Sequence, residues 1–191
     1  MDLITHLESH LGQISKGWDL KIGNKDIQVV KCDNHPKFGV STFSTLGLSS
    51  YDLNMPDERT IKQEFFVSSY DKYNDEKLAS FLLTFASGIL SSGRAILRGE
   101  CIGSGSLVIE DSTLNGVYCS NPVFQNDSFS VFKGEHNVVM VWLIPVHSQE
   151  VKFIRQNGWN KFEDGLENEY CDFWDLGRQP MTFVSSSTKS V

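Results

Sequence analysis

Apolar residues along this chain recur in two rhythms, one helical and one strand-like, and their order predicts its elements. Leu3, Ile4, Leu7, Leu11 and Ile14 fall at helical spacing, with Gly12 placed to begin the exit. They predict an amphipathic N-terminal helix. Trp18 to Lys21 follows neither rhythm. Ile27, Val29 and Val30 predict a first strand, and the stretch from Phe38 to Phe43 a second. Residues 44–50 are small and polar around Leu46 and Leu48 and read as a structured loop. A third strand is predicted over 61–67.

The strongest helical signal follows. Leu78, Phe81, Leu82, Phe85 and Ile89 fall at i, i+3, i+4, i+7 and i+11, and Leu83, Ala86 and Leu90 widen the stripe. Asn74 can cap this helix, Gly93 can end it, and so wide a stripe predicts burial. Residues 98–105 are glycine-rich and turn-like. Short strands are predicted at 107–109, 117–119 and 129–132. Lys133, Gly134, Glu135 and His136 make a tight connection, so 129–132 should pair antiparallel with 138–144. That last run is apolar on both faces, which predicts a central strand covered by helices and stopped at Pro145. Ser148 is a natural N-cap for a helix over 149–157, with Glu150 in its electropositive first turn. Gly158 ends it, and Trp159, Phe162, Leu166 and Tyr170 form one face of a final helix. No linker interrupts these elements. The expectation is therefore a single α+β domain over residues 1–184. Its sheet is mixed or antiparallel around the central strand 138–144, with helices packed on it, and 185–191 form a mobile polar tail.

Composition adds bounds. At 191 residues, 40% of them hydrophobic and 13 of them Phe, the chain can bury one aromatic-rich core. The formal net charge is −7. That argues against a nucleic-acid binder, which relies on Lys and Arg against phosphates, and suits either plain solubility or a basic protein partner. The acidic, polar-interrupted start MDLITHLESH lacks the features of a signal peptide, and no apolar run reaches the ~20 residues of a membrane span. Cys32, Cys101, Cys119 and Cys171 form no CxxC pair and read as reduced thiols, which implies a cytoplasmic chain.

Candidate chemistry is sparse. His6 and His10 lie at i and i+4, but Leu7 stands where a zinc-protease helix needs Glu, and no third ligand is apparent. They read as a solvated helix face. Gly99, Gly103 and Gly105 resemble a phosphate loop only in glycine content, and the expected strand after them favours a plain turn. Ser50, Cys101 and Cys119 could be nucleophiles and His35, His136 or His147 bases, but none sits in a recognisable catalytic context. Asp71, Asp75 and Glu76, like Asp57 and Glu58, sit where loops and first helical turns favour acids. The expectation is no catalytic residue, no cofactor and no metal.

One feature is out of the ordinary. Glu163, Asp164, Glu167, Glu169, Asp172 and Asp175 crowd one segment with no base between them. Like charges this close repel unless a partner relieves them. Three readings stay open: a solvated face, a docking surface for a basic protein, or a divalent-cation site lacking the calcium-loop spacing. Asp164 and Glu167 should point away from the Trp159–Phe162–Leu166–Tyr170 stripe. Asp172 and Asp175, with Arg178, could instead tie the chain end to the body.

Several segments in order carry a family resemblance. They are the small-residue loop that follows Phe38, the strand Glu64-Phe65-Phe66-Val67, and the strand Val141-Trp142-Leu143-Ile144-Pro145-Val146. After these come Glu150 with Val151, Phe153 and Ile154, then Gly158, Leu166-Glu167, Asp172, Asp175 and Arg178. Together they resemble the suppressor-of-fused-domain family, in particular its compact bacterial immunity-protein (antitoxin) branch. The large second domain of the animal members has no counterpart here. The resemblance implies a non-enzymatic binding protein that neutralises a cognate protein toxin, often a nuclease, whose basic surface would suit an acidic chain. It implies neither a nucleic-acid nor a membrane partner. A suppressor-of-fused-like adaptor without a toxin, or less readily a small hydrolase, are the alternatives.

Overall fold

In the computed structural model, residues 2–22, 25–103, 113–168 and 171–182 are described. Four helices pack against one mixed sheet in the order β1-β2-β3-β5-β9-β7-β6, with β4 joined to β5 and β8 to β9. The strands are β1 (Ile14–Ile22), β2 (Lys25–Cys32), β3 (Val40–Leu46), β4 (Leu53–Asn54), β5 (Thr60–Tyr70), β6 (Cys101–Gly103), β7 (Gly116–Ser120), β8 (Val131–Lys133) and β9 (Asn137–Val146). The helices are α1 (Leu3–Leu11), α2 (Asp75–Ser92), α3 (Ser148–Asn157) and α4 (Trp159–Asn168).

β9 is the axis of the sheet. It runs parallel to β5 on one edge, with Phe66 opposite Trp142. Its other edge is shared by two antiparallel partners, β8 at residues 137–139 and β7 at 142–146. The alternation of strand side chains explains why its sequence is apolar throughout. Val138, Met140, Trp142, Ile144 and Val146 face the layer holding α1, α3 and α4, with Leu7, Leu11, Val151, Ile154 and Phe162. Val141 and Leu143 face the other layer, where α2 brings Leu78, Leu82 and Ala86. Neighbouring strands divide the same way: Phe65 and Val67 go to the α2 side, Phe66 to the opposite one.

The α+β class, the central strand, the β8–β9 hairpin and the buried helix all agree with the sequence reading. Asn74 caps α2 by accepting from the Lys77 N–H at 3.2 Å, and Gly93 closes it in the left-handed region. Other elements differ. Ile14 opens β1, and Trp18 lies within that strand rather than in an ambiguous stretch. Phe38 is 90% exposed, and its strand starts at Val40 and continues through Thr45 and Leu46, which had read as loop. Phe129 belongs to a 3-10 turn, Asp127–Phe129, ahead of β8. β9 passes through Pro145 instead of stopping there, with Pro145 opposite Val117 and its carbonyl accepting from Arg178 Nη2 at 3.2 Å. The N-cap of α3 is His147, not Ser148. His6 is buried rather than solvated, its ring Nε2 within 3.3 Å of the Phe129 carbonyl. The predicted strand 107–109, Gly105, Tyr170 and the tail 185–191 lie outside the described residues.

Candidate functional site

Two buried carboxylates join the motif segments to one another. Glu64, fully buried on β5, accepts from Thr45 Oγ1 at 2.6 Å, from the Gly47 and Ser49 N–H groups at 3.0 Å each, and from Ser49 Oγ at 2.7 Å. Gly47 sits at φ +103°, a conformation only glycine adopts freely, so the loop can turn its amides onto the acid. Burial pushes the Glu64 carboxyl up despite these donors. The small-residue loop and the acid-aromatic strand are thus one clasp.

Glu150 makes the second clasp. Its oxygens take Arg178 Nη1 and Nη2 at 2.7 Å each, a bidentate pair, and also the N–H groups of Met181 at 2.9 Å and His147 at 2.8 Å. Burial raises the Glu150 carboxyl, but the Arg178 guanidinium outweighs it and holds the group below its ordinary range. Through this pair the C-terminal strap, residues 171–182, is held against α3 and the end of β9.

Glu163, Asp175 and Asp172 belong to internal contacts. Glu163 accepts from Tyr118 Oη and Arg98 Nη2 at 2.6 Å each and from Ser120 Oγ at 3.2 Å. Burial pushes its carboxyl up, and the Tyr118 and Arg98 bonds hold it below its ordinary range all the same. Asp175 ion-pairs with Lys72 at 3.0 Å and takes the Tyr73 hydroxyl and the Gly177 N–H. Asp172 accepts from Tyr70 Oη at 2.7 Å and caps the Trp174 N–H at 3.2 Å. Asp172, Asp175 and Arg178 therefore tie the chain end to the body. Asp164 is exposed on α4. Glu167 lies one turn further along that helix, and its side chain, like Glu169, lies outside the described residues.

Between α4, the strap and the sheet lies a cavity of about 530 Å³. Trp142 and Ile144 of β9 form its floor, and Phe124, Leu166, Phe173 and Trp174 its walls. The rings meet edge to face: Phe124 on Trp142 at 4.7 Å and Phe173 on Trp142 at 5.8 Å. Lys37, Arg98, Glu163 and Asp172 stand around this apolar lining. A cavity of this size, apolar inside with a few polar groups about it, has the form of a binding site. Sequence reasoning had assigned Trp142 to the core and passed over Phe124, Phe173 and Trp174. The one signal for the last two was an aromatic pair set between Asp172 and Asp175.

The nucleophiles and bases named from the sequence are not brought together among the described residues. Among the described residues, none of His35, His136 and His147 hydrogen-bonds to Ser50, Cys101 or Cys119. His147 reaches the Arg178 carbonyl at 3.0 Å, and His35 the Gln125 side chain. Burial pushes the Cys101 thiol up to about 11 and the Cys119 thiol higher still, away from a reactive thiolate. Among the described residues no group of three His, Cys, Asp or Glu is disposed to hold a metal ion, and no helix is long and apolar enough to cross a membrane.

The sequence profile described as "Suppressor of fused protein (SUFU)" matches residues 23–179. The chain belongs to the suppressor-of-fused family. Within it, the chain is 22% identical over 169 residues to "Immunity protein YqcF" of Bacillus subtilis (strain 168), spanning 87% of each sequence. Its fold is similar to that of a suppressor-of-fused homologue from Neisseria gonorrhoeae, with a TM-score of 0.74 at 18% identity over 95% of both chains. It is similar, too, to a chain of the Sufu–Fu complex, with a TM-score of 0.61 at 11% identity over 87% of this chain and 83% of that one. The two clasps account physically for four of the motif features: the small-residue loop, Glu64, Glu150 and Arg178.

Proposed function

We propose that this chain is a cytoplasmic immunity protein that neutralises a cognate protein toxin by stoichiometric contact and performs no catalysis. The observation that carries this is the match, over 87% of each sequence, to a protein named as an immunity protein, together with the family match over residues 23–179. The physical features are compatible with it. The net charge of −7 favours a basic partner, and a nuclease, which must attract phosphates, is the toxin class that fits. On this reading the partner meets the outer side of α4 and the adjoining strap. Asp164, Glu167 and Glu169, with Asp172 beside them, steer the encounter. Glu163 and Asp175 support the face from within, because their carboxylates are engaged by Arg98, Tyr118, Lys72 and Tyr73.

The test is co-expression with the protein encoded beside this one. Rescued growth together with a co-purifying complex is the expected result. A toxin that kills equally with and without this chain, and no complex, would overturn the proposal. The fold likeness to a chain of a Sufu–Fu complex favours a second reading, an adaptor for a non-toxic protein. It predicts a complex with no growth phenotype.

A further inference from the structure

The cavity beside α4 has an exposed cation at its edge that no carboxylate engages among the described residues. Trp174 lines it, and the buried indole Nε1 of Trp174 has no hydrogen-bond acceptor among the described residues. Lys37 also lines the cavity. Its ammonium lies 4.3 Å over the Trp174 ring and 5.3 Å from the Tyr70 ring, with the Tyr70 hydroxyl at 3.4 Å, and it ion-pairs with no carboxylate among the described residues. Arg98, the other cation at the cavity, is already engaged by Glu163 at 2.6 Å. Lys37 thus stands as the uncommitted cation at the edge of an aromatic chamber large enough for one or two side chains.

We propose that this cavity receives an apolar side chain of the toxin, an anchor whose neighbouring carboxylate pairs with Lys37. The inference rests on the immunity reading above and adds to it the chemistry of the contact. The apolar side chain packs against the cavity faces of Trp142, Phe124 and Phe173. Its carboxylate comes from an acidic residue next to the anchor or from a chain terminus. The acids of α4 bring a basic partner close without distinguishing one basic surface from another. A buried anchor with a paired charge supplies that distinction and the slow release of a tight complex.

The test has two arms. In the first, the full chain labelled with 15N at its four tryptophans is titrated with N-acetyl-phenylalanine and N-acetyl-leucine, and with the corresponding amides. Trp174→Phe assigns the critical indole resonance. The acids should shift the Trp174 and Trp142 indole signals saturably. They should bind about fivefold more tightly than the amides, a preference that Lys37→Ala abolishes and that a single charge-assisted bond accounts for. Absence of a saturable shift at Trp174, or equal binding of acid and amide by the parent, overturns the proposal.

In the second arm, the complex with the co-expressed toxin is compared for the parent, Lys37→Glu and Val123→Trp. Val123 is 71% exposed at the cavity, so a larger ring there obstructs the entrance without disturbing the core. Each variant should dissociate at least about tenfold faster. A complex that forms and is indifferent to both variants overturns the anchor while leaving the immunity reading intact. If no complex forms with any variant, the immunity reading falls, and the anchor in the toxin falls with it.

Discussion

Glu150 ties three segments of this structure together. Four donors converge on its two oxygens, and it joins the end of β9, the start of α3 and the terminal strap. Glu150→Gln should cost about 3 kcal/mol, because Arg178 is left buried without its counter-charge. The sign of the pH dependence follows from the depressed folded-state pKa. The contribution is present above the ordinary value of 4.5 and is lost as pH falls from there through the folded value. Chemical denaturation should therefore find the gap between parent and variant wide at neutral pH and narrowing below 4.5. A gap that stays constant through that window would mean the carboxylate is not held by charge. Glu150 could be placed at a helix start from sequence, because an acid in a first turn has a local reason. Its partner could not be paired with it, because Arg178 is 28 residues away and only folding brings the two together.

At the scale of elements, β9 was legible because a strand buried on both faces has to be apolar at every position. Two of the misjudged boundaries have local physical causes. Pro145 continues the strand since its carbonyl finds Arg178 and the missing N–H is not required at that position. β1 was missed because its sequence, ISKGWDLKI, lies at the sheet edge, where a strand does not require an apolar face. Trp142 is 6% exposed at the floor of the cavity, and Trp142→Ala should cost about 3–5 kcal/mol in equilibrium unfolding. Gly116 on β7 lets α3 approach closely, since a Cβ there would run into Val151. Gly116→Ala should destabilise by about 1–3 kcal/mol through overpacking, and an unchanged melting temperature would contradict the close packing.

For the whole molecule, the acidic segment was visible in sequence, but its division of labour was not. Glu163, Asp172 and Asp175 look the same as Asp164 in a one-dimensional charge run, yet Arg98, Tyr70 and Lys72 reach the first three from distant strands and loops. The cavity was illegible for the same reason: Phe124, Trp142 and Trp174 come from three separate segments. Reversing Asp164 and Glu167 together to Lys should change stability by less than about 0.5 kcal/mol. It should slow association with a basic toxin at low salt, and the defect should shrink as salt shortens the screening length to roughly 10 Å and below. Equal association rates at low salt would assign these acids to solvation alone.

Amide hydrogen exchange of the toxin complex reads directly whether the chain makes contact through α4 and its strap, as we propose. Protection gained on binding should concentrate in Trp159–Asn168 and residues 171–178, with α2 on the far side of the sheet unchanged. A complex whose new protection falls on α2 or on the β1–β2 edge, leaving α4 and the strap as in the free chain, would contradict the account.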